Sequence, residues 1–318
     1  MDDLLHCLDN ADKSTVKLFF ITRKKNQTTK EITYRVLKSR IRFEIAEELK
    51  NCAHRQISAI QDHDYEQIQY GVISHSDRTV VETIPHEDVP YLSDMLSEIA
   101  RPPDENILAE EDFSHIWGYI VRIECQNSTL FLFRKYTPKK LLEKGKLACI
   151  IRRDQFEKLD DQIITLDSSY DAALLLKAQD PSRPAQQQPD MLIFCRSWFE
   201  SFFSFVDVYR HEVEDNQAYL DEKGILENAA QMVQTCCSDS RAIKKLARIL
   251  HNRQLDSLDL PKIRTVIRDY NLPVSLNHEG KLQVSQEHIW VILRILDDDY
   301  VKSEITDTKY EARSKVRK

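Results

Sequence analysis

Residues 116–136 read IWGYIVRIECQNSTLFLFRKY, and this stretch decides the fold of the first half of the chain. Two runs rich in β-branched, aromatic and leucine side chains lie on either side of the polar residues 126–128. Such side chains favour extended strands, and the polar residues between them favour a turn. The stretch therefore predicts an antiparallel hairpin made of residues 116–124 and 129–136.

The same patterns predict further elements before and after this hairpin. Alternating apolar residues predict a second hairpin, made of residues 16–22 (VKLFFIT) and 32–37 (ITYRVL) on either side of a polar, basic turn. Apolar residues that recur every three or four positions predict amphipathic helices. The remaining predictions in this half are helices at 42–60 and 88–100, the latter ended by Pro102 and Pro103, and strands at 147–151 and 162–166.

A change of composition at residues 178–189, AQDPSRPAQQQP, marks a linker. The segment is rich in proline and glutamine and has almost no apolar side chains to bury. A chain of 318 residues also exceeds the usual length of a single domain. We therefore predict two domains, residues 1–187 and residues 188–318.

Helical periodicity dominates the predicted second domain. Overall, we predict an α+β fold with a strand-rich N-terminal half followed by a mostly helical C-terminal half. The predicted elements of the second half are helices at 206–220, 225–237, 240–254, 260–270 and 287–296, and a short hairpin of 272–276 with 281–284.

The composition restricts the cellular setting. The seven cysteines are odd in number and lack the spacing of a disulfide framework, which favours reduced thiols. Residues 1–10 are acidic and show no secretory signal. Arg196 and Glu200 interrupt the most apolar stretch, residues 191–206, so no segment matches the roughly 20 apolar residues of a membrane span. We expect a cytoplasmic protein that reaches the inner membrane only through a partner.

The motifs of common enzymes are missing from the sequence. All five glycines are isolated, so neither a P-loop nor a dinucleotide-binding fingerprint can be assembled. Cys236 and Cys237 are adjacent, and the spacing of zinc ligands does not occur. Residues 297–299 are three aspartates that directly follow a predicted helix, where a solvated terminus is the favoured interpretation. We therefore expect no catalytic residue, no metal and no cofactor, with a metal-dependent nuclease as the alternative.

Clustered basic residues in the second half are the strongest functional signal. The net charge is −7, so affinity for a polyanion must come from local clusters. Residues 240–254 (SRAIKKLARILHNRQ) contain five cations and no acid, and helical spacing puts the first four on the side opposite the apolar residues. Such a face suits the phosphates of a nucleic acid, and a solvated face paired with acidic stretches elsewhere is the alternative. The predicted nucleic-acid-binding residues are Arg241, Lys244, Lys245, Arg248 and Arg253, together with Arg313, Lys315, Arg317 and Lys318 in the C-terminal tail.

Two other groups are weaker candidates for the same role. Lys262, Arg264 and Arg268 continue the basic pattern on the next predicted helix. Another group surrounds the end of the first-half hairpin and comprises Arg134, Lys135, Lys139, Lys140, Lys144 and Lys146.

An aromatic cluster follows the linker. It is dense and has apolar neighbours, which favours a core or a subunit interface over a platform for stacking bases. Its members are Trp198, Phe199, Phe202, Phe203 and Phe205.

The C-terminal residues 296–315, LDDDYVKSEITDTKYEARSK, carry a resemblance to a known family. The arrangement of Asp298, Asp299 and Tyr300, followed by Ser303, Thr306, Tyr310, Ser314 and Lys315, resembles the KwaB family, the soluble components of two-protein Kiwa anti-phage systems of bacteria. The chain length, the first strand ending in Thr22-Arg23-Lys24, and the order of a β-rich half before a helical half also resemble this family.

This resemblance implies a function and two partners. A KwaB-like protein is expected to bind DNA and to act with an integral membrane protein, KwaA, in blocking phage DNA replication or expression. It is also expected to form a homodimer, for which the aromatic cluster is a candidate interface. A protein-only adaptor, whose basic surface docks on acidic loops of the membrane partner, is a further alternative.

Overall fold

A mixed eight-stranded β-sheet is the framework of the N-terminal part of the chain. The structure, a computed structural model, describes residues 1–26, 32–39, 41, 43–63, 65–71, 80–100, 115–136, 157–159, 162–164, 169–177 and 190–312. The helices are α1 (Asp2–Asn10), α2 (Phe43–Asp62), α3 (Leu92–Ala100), α4 (Arg196–Phe202), α5 (Val206–Asp215), α6 (Gln217–Glu222), α7 (Ala229–Cys237), α8 (Ser240–His251), α9 (Leu260–Asp269) and α10 (Ile289–Leu296). The strands are β1 (Val16–Lys25), β2 (Ile32–Ser39), β3 (Glu66–Gln69), β4 (Val80–Pro85), β5 (Ile116–Cys125), β6 (Ser128–Lys135), β7 (Glu157–Leu159), β8 (Gln162–Ile164), β9 (Ala172–Lys177), β10 (Asp190–Ile193), β11 (Tyr300–Lys302) and β12 (Lys309–Glu311).

The chain divides into two units. The first unit comprises residues 1–70 and 76–204, and the second comprises residues 71–75 and 205–318. The predicted division at residue 188 differs from this one by the segment that carries β10 and α4. That segment belongs to the first unit because β10 pairs with both β4 and β9 in the sheet. Residues 178–189, the predicted linker, lie outside the described residues.

Both predicted hairpins of the first half are confirmed. β1 pairs antiparallel with β2, with Phe20 opposite Leu37, and β5 pairs antiparallel with β6, with Val121 opposite Leu132. The strand order is β2-β1-β5-β6-β9-β10-β4-β3, and only β3 and β4 pair in parallel. An eight-stranded sheet in the first half and helices in the second give an α+β fold, as predicted.

The main core of the first unit contains residues of α1, α2 and the central strands. Phe20, Tyr119 and Leu132 are buried in it together with Leu49 and Ile57 of α2. Burying a side chain of this size contributes about 1.5 to 3 kcal/mol, so this layer supplies much of the stability of the unit. Helix α1 was not predicted, because its apolar positions are few and Asp2, Asp3 and Asp9 dominate its sequence.

Four of the five side chains of the aromatic cluster are buried. Phe199, Phe202 and Phe203 are at most 1% exposed, and Phe202 lies over Gly118 of β5, where any added Cβ would overlap its ring. Phe205 is 3% exposed, whereas Trp198 is 37% exposed. The prediction that the cluster packs in a core is therefore confirmed for the phenylalanines and does not hold for Trp198. The suggestion that it forms a dimer interface is wrong for these phenylalanines, because folding of the chain already covers them.

Two of the cysteines form a disulfide, which corrects the prediction of reduced thiols. Cys7 of α1 is bonded to Cys125 at the end of β5, at a sequence separation of 118. Their pairing depends on how α1 packs beside β5, which cysteine spacing does not reveal. Among the described residues, Cys52, Cys195, Cys236 and Cys237 are free.

The second unit is built from short helices. The helix predicted at 206–220 is divided into α5 and α6 at Asn216, and the predicted short hairpin is present as an antiparallel bridge between Leu276 and Leu282. The predicted strand at 147–151 lies outside the described residues. The one at 162–166 corresponds to β8, which pairs with β7.

Candidate nucleic-acid interface

Helix α8 carries four of the nine predicted nucleic-acid-binding residues. Asp239 caps its first turn, because its Oδ1 accepts hydrogen bonds from the backbone N–H groups of Arg241 (2.8 Å) and Ala242 (3.3 Å). Ile243, Leu246 and Leu250 are fully buried and fix the orientation of the helix. The cations consequently lie on the opposite side, as the sequence predicted.

Two of these cations are held by buried carboxylates. The Lys245 ammonium donates hydrogen bonds to Asp297 and, at 2.7 Å, to Asp299, and the Arg248 guanidinium also contacts Asp297. The side chains of Asp297 and Asp299 are 3% and 8% exposed. The interpretation of residues 297–299 as a solvated terminus is therefore wrong for these two aspartates. Lys245 and Arg248, which the sequence predicted to lie on an open face, are instead paired with carboxylates inside the second unit.

The other predicted cations of this region lie in different surroundings. Arg241 is exposed, and Lys244 is partly buried with its Nζ 5.7 Å from the centre of the Tyr209 ring. Arg253 is exposed, and its guanidinium lies 4.2 Å from the centre of the Tyr219 ring. Arg313, Lys315, Arg317 and Lys318 of the predicted site lie outside the described residues.

Helix α9 presents a second set of cations. Lys262, Arg264 and Arg268 are all exposed, whereas Ile263 is 3% exposed and anchors the helix. Asp269 is the single acidic residue within α9, and its carboxylate lies 3.4 Å from Arg268 Nε. A pair between two exposed groups contributes little free energy, so it does not hold Arg268 firmly.

Contacts fix both ends of this basic face. Arg264 Nη2 donates a hydrogen bond to the carbonyl oxygen of Glu279 at 3.0 Å. The turn there reaches a left-handed conformation at Gly280, with φ of +81°, and a Cβ at this position would overlap the Arg264 guanidinium. At the other end, Lys309 of β12 donates to the carbonyl oxygen of Asp269 at 2.6 Å. The arginine is thus placed by a turn, and the last strand is attached to the end of α9.

The weaker basic candidate in the first unit is buried where it is described. The side chain of Arg134 is 14% exposed and its Nη1 lies 2.5 Å from Asp171 Oδ1. Lys135 is 8% exposed and donates to the carbonyl oxygens of Trp117 (2.8 Å) and Tyr136 (2.7 Å). These two residues are therefore not available to a nucleic acid. Lys139, Lys140, Lys144 and Lys146 of the same candidate lie outside the described residues.

Burial shifts the pKa values of Lys135 and Asp171. Burial, together with the nearby Arg23 guanidinium, lowers the pKa of Lys135 to about 7, and Asp171 opposes the shift. Burial also raises the pKa of Asp171 to about 6, although Arg134 and the backbone N–H of Lys135 favour its charged form. The cause in both cases is the cost of holding a charge away from water. Sequence patterns did not reveal this pair, since its members come together only in the sheet.

The described residues contain no group of three or more histidine, cysteine, aspartate or glutamate side chains that is arranged to hold a metal ion. None of the described helices is both long and apolar enough to cross a bilayer.

These features define a class of protein: an α+β chain whose helical unit displays basic side chains on an acidic molecule. The model of one family, described as Kiwa protein KwaB-like, matches residues 113–306, about three fifths of the chain. This chain belongs to the KwaB-like family, as the C-terminal sequence predicted. No curated protein and no solved structure matches it. Membership of this family indicates a role in Kiwa anti-phage defence.

Proposed function

We propose that this chain is an anti-phage defence protein that binds DNA through the cations of its second unit and has no enzymatic activity. One observation carries the proposal: the segment from Ser240 to Gln254 contains five cations and no acidic residue, and Arg241 and Arg253 within it are exposed. Contacts between such arginines and DNA are made to the phosphates, so they give little sequence specificity. Family membership supports the defence role in which such binding would act.

Lys245 and Arg248 of α8 are not expected to make the first contacts with DNA. Lys245 and Arg248 are engaged by Asp297 and Asp299, so a phosphate would have to displace a carboxylate to reach them. We therefore assign the first contacts to the exposed Arg241 and Arg253, with the C-terminal tail beyond residue 312 adding four more cations. Lys245 and Arg248 join only if their ion pairs open.

A titration of labelled duplex DNA at several salt concentrations tests this assignment. The double variant Arg241→Glu/Arg253→Glu is expected to bind more weakly and with a smaller dependence on salt, because each lost phosphate contact lowers the slope by about 0.9. A matched control is Lys13→Glu/Lys177→Glu, since both lysines are exposed and paired with carboxylates, at 3.5 Å from Glu47 and at 2.6 Å from Asp3. Equal affinities and slopes for the wild type and the Arg241→Glu/Arg253→Glu variant would refute the assignment.

The absence of enzymatic activity is tested on the same DNA. Incubation of the purified protein with labelled duplex and Mg²⁺ or Mn²⁺ is expected to leave the DNA intact. Cleavage that persists through purification and is abolished by chelation would establish a nuclease instead.

The partners complete the proposal. Family membership supports a Kiwa system context. Within it, the proposed partners are an integral membrane protein, KwaA, which would hold this chain at the inner membrane, and a second copy of the chain in a homodimer. Co-purification with detergent-solubilised KwaA tests the first. The mass of the protein in solution, from light scattering, tests the second. A monomer at all concentrations, or no retention with KwaA, would contradict the respective part.

A further inference from the structure

Helix α9 offers a more accessible basic surface than α8. At 100° per residue, Lys262, Arg264 and Arg268 all lie within about 80° of the direction opposite the buried Ile263. All three are exposed, and among the described residues only Arg268 has an acidic partner in an ion pair, the exposed Asp269. On α8, by contrast, two of the cations are held by buried carboxylates.

The length of this surface matches a polyanion with regular spacing. Six residues separate Lys262 from Arg268, a rise of about 9 Å along the helix. One strand of duplex DNA carries a phosphate about every 3.4 Å along its axis, so the face spans roughly three phosphates. Arg264 is additionally fixed by its hydrogen bond to the Glu279 carbonyl, which reduces the conformational freedom that binding would cost.

The basic surface continues beyond the end of α9. Lys309 is exposed and is attached to the Asp269 carbonyl, with its Nζ 5.5 Å from the centre of the Tyr270 ring. The cations of this surface are therefore Lys262, Arg264, Arg268 and Lys309.

We propose that the exposed face of α9, extended by Lys309, is the track along which the second unit holds the DNA phosphate backbone. This inference rests on the proposed function and deepens it, because it adds the exposed face of α9 to the contacts made by residues 240–254. Charge complementarity favours a phosphate backbone, because the exposed half of α9 carries three cations and the helix contains one acidic residue, Asp269.

The test is a salt titration of DNA binding with the double variant Lys262→Glu/Arg268→Glu. This variant leaves Arg264 and its turn in place, and both changed residues are exposed, so the fold is expected to persist and circular dichroism checks it. Affinity should fall at least tenfold, and the salt slope should fall by about 1.8, the value for two lost phosphate contacts. The control Lys13→Glu/Lys177→Glu lies in the first unit, changes the net charge equally and should keep the wild-type slope.

The possible results separate the two proposals. A wild type that binds DNA, together with an α9 variant of unchanged slope, overturns the α9 track and leaves the proposed function standing. The track is also overturned if the control loses as much affinity as the α9 variant, because the overall charge would then account for binding. A wild type without salt-dependent DNA binding overturns the proposed function itself.

Discussion

The Nζ atom of Lys245 lies 2.7 Å from Oδ2 of Asp299, and the same ammonium also contacts Asp297. One cation of α8 thus serves two carboxylates, which are themselves almost completely buried. Removing one partner from such a cluster leaves charge uncompensated in a poorly solvated place, which costs more than an intact pair contributes. The ion pairs of this cluster therefore stabilise the second unit and at the same time reduce the number of α8 cations that are available to a ligand.

Asp297→Asn should change stability and DNA binding in opposite directions. The variant loses the acceptor of Arg248, so unfolding free energy should fall by about 2 to 4 kcal/mol, less than for a fully buried pair because the Arg248 side chain is 29% exposed. The freed guanidinium can then contact a phosphate and should steepen the salt slope by about 0.9. Urea unfolding and DNA titration measure the two effects. Asp298→Asn is the control, since Asp298 is exposed, and a weaker binding by the Asp297 variant would contradict the prediction.

Lys135→Met should change how stability depends on pH above neutrality. In the folded chain the Lys135 pKa is lowered from 10.5 to about 7, so the folded state binds fewer protons than the unfolded state between these values. The contribution of the lysine is therefore fully present above pH 10.5 and is lost as pH falls through about 7.

The difference in stability between wild type and Lys135→Met should accordingly shift in favour of the wild type from pH 7 to pH 10, by at most about 1.4 kcal/mol per pH unit. Urea unfolding at several pH values measures it. The window avoids Asp171, whose pKa is about 6. Parallel stability curves for the two proteins would show that the lysine is not buried as described.

Cys7→Ser/Cys125→Ser should be less stable than the oxidised wild type. A bond that closes a long loop restricts the unfolded chain, and its loss typically costs about 2 to 4 kcal/mol. Guanidinium unfolding with and without a dithiol reductant measures the effect, and reductant should bring the wild type to the level of the variant. Thiol counting provides a check, since burial raises the pKa of Cys52 to about 11 and of Cys236 to about 12 and slows their alkylation. Identical unfolding with and without reductant would contradict the bond.

Gly280→Ala should destabilise the second unit by about 1 to 2 kcal/mol, because alanine is strained at a φ of +81° and its Cβ would displace the Arg264 guanidinium. Chemical unfolding measures the loss. Gly224→Ala is a matched control: its φ is +61°, but the nearest atom to an added Cβ, Lys281 Cε, is 3.9 Å away. A cost at Gly280 no larger than that at Gly224 would show that the arginine is not held against the turn.

Sequence patterns predicted the central hairpins and the amphipathic helices because each depends on neighbours within a few residues. They missed β4, β9 and β10, which are short and whose place is decided by partners far along the chain. They also located the cations of α8 correctly on one side of the helix. Whether a cation on that side is free or paired depended on Asp297 and Asp299, about fifty residues later, and periodicity carries no information about such distant contacts.

The bond between Cys7 and Cys125 encloses the chain from residue 8 to residue 124 in a covalent ring. A single proteolytic cut anywhere in that ring leaves one connected molecule, and the two pieces migrate apart on a gel only after reduction. The β1–β2 hairpin, α2, α3 and β3 to β4 all lie inside it. Nicking of these parts therefore does not by itself release the N-terminal helix from the strand it covers.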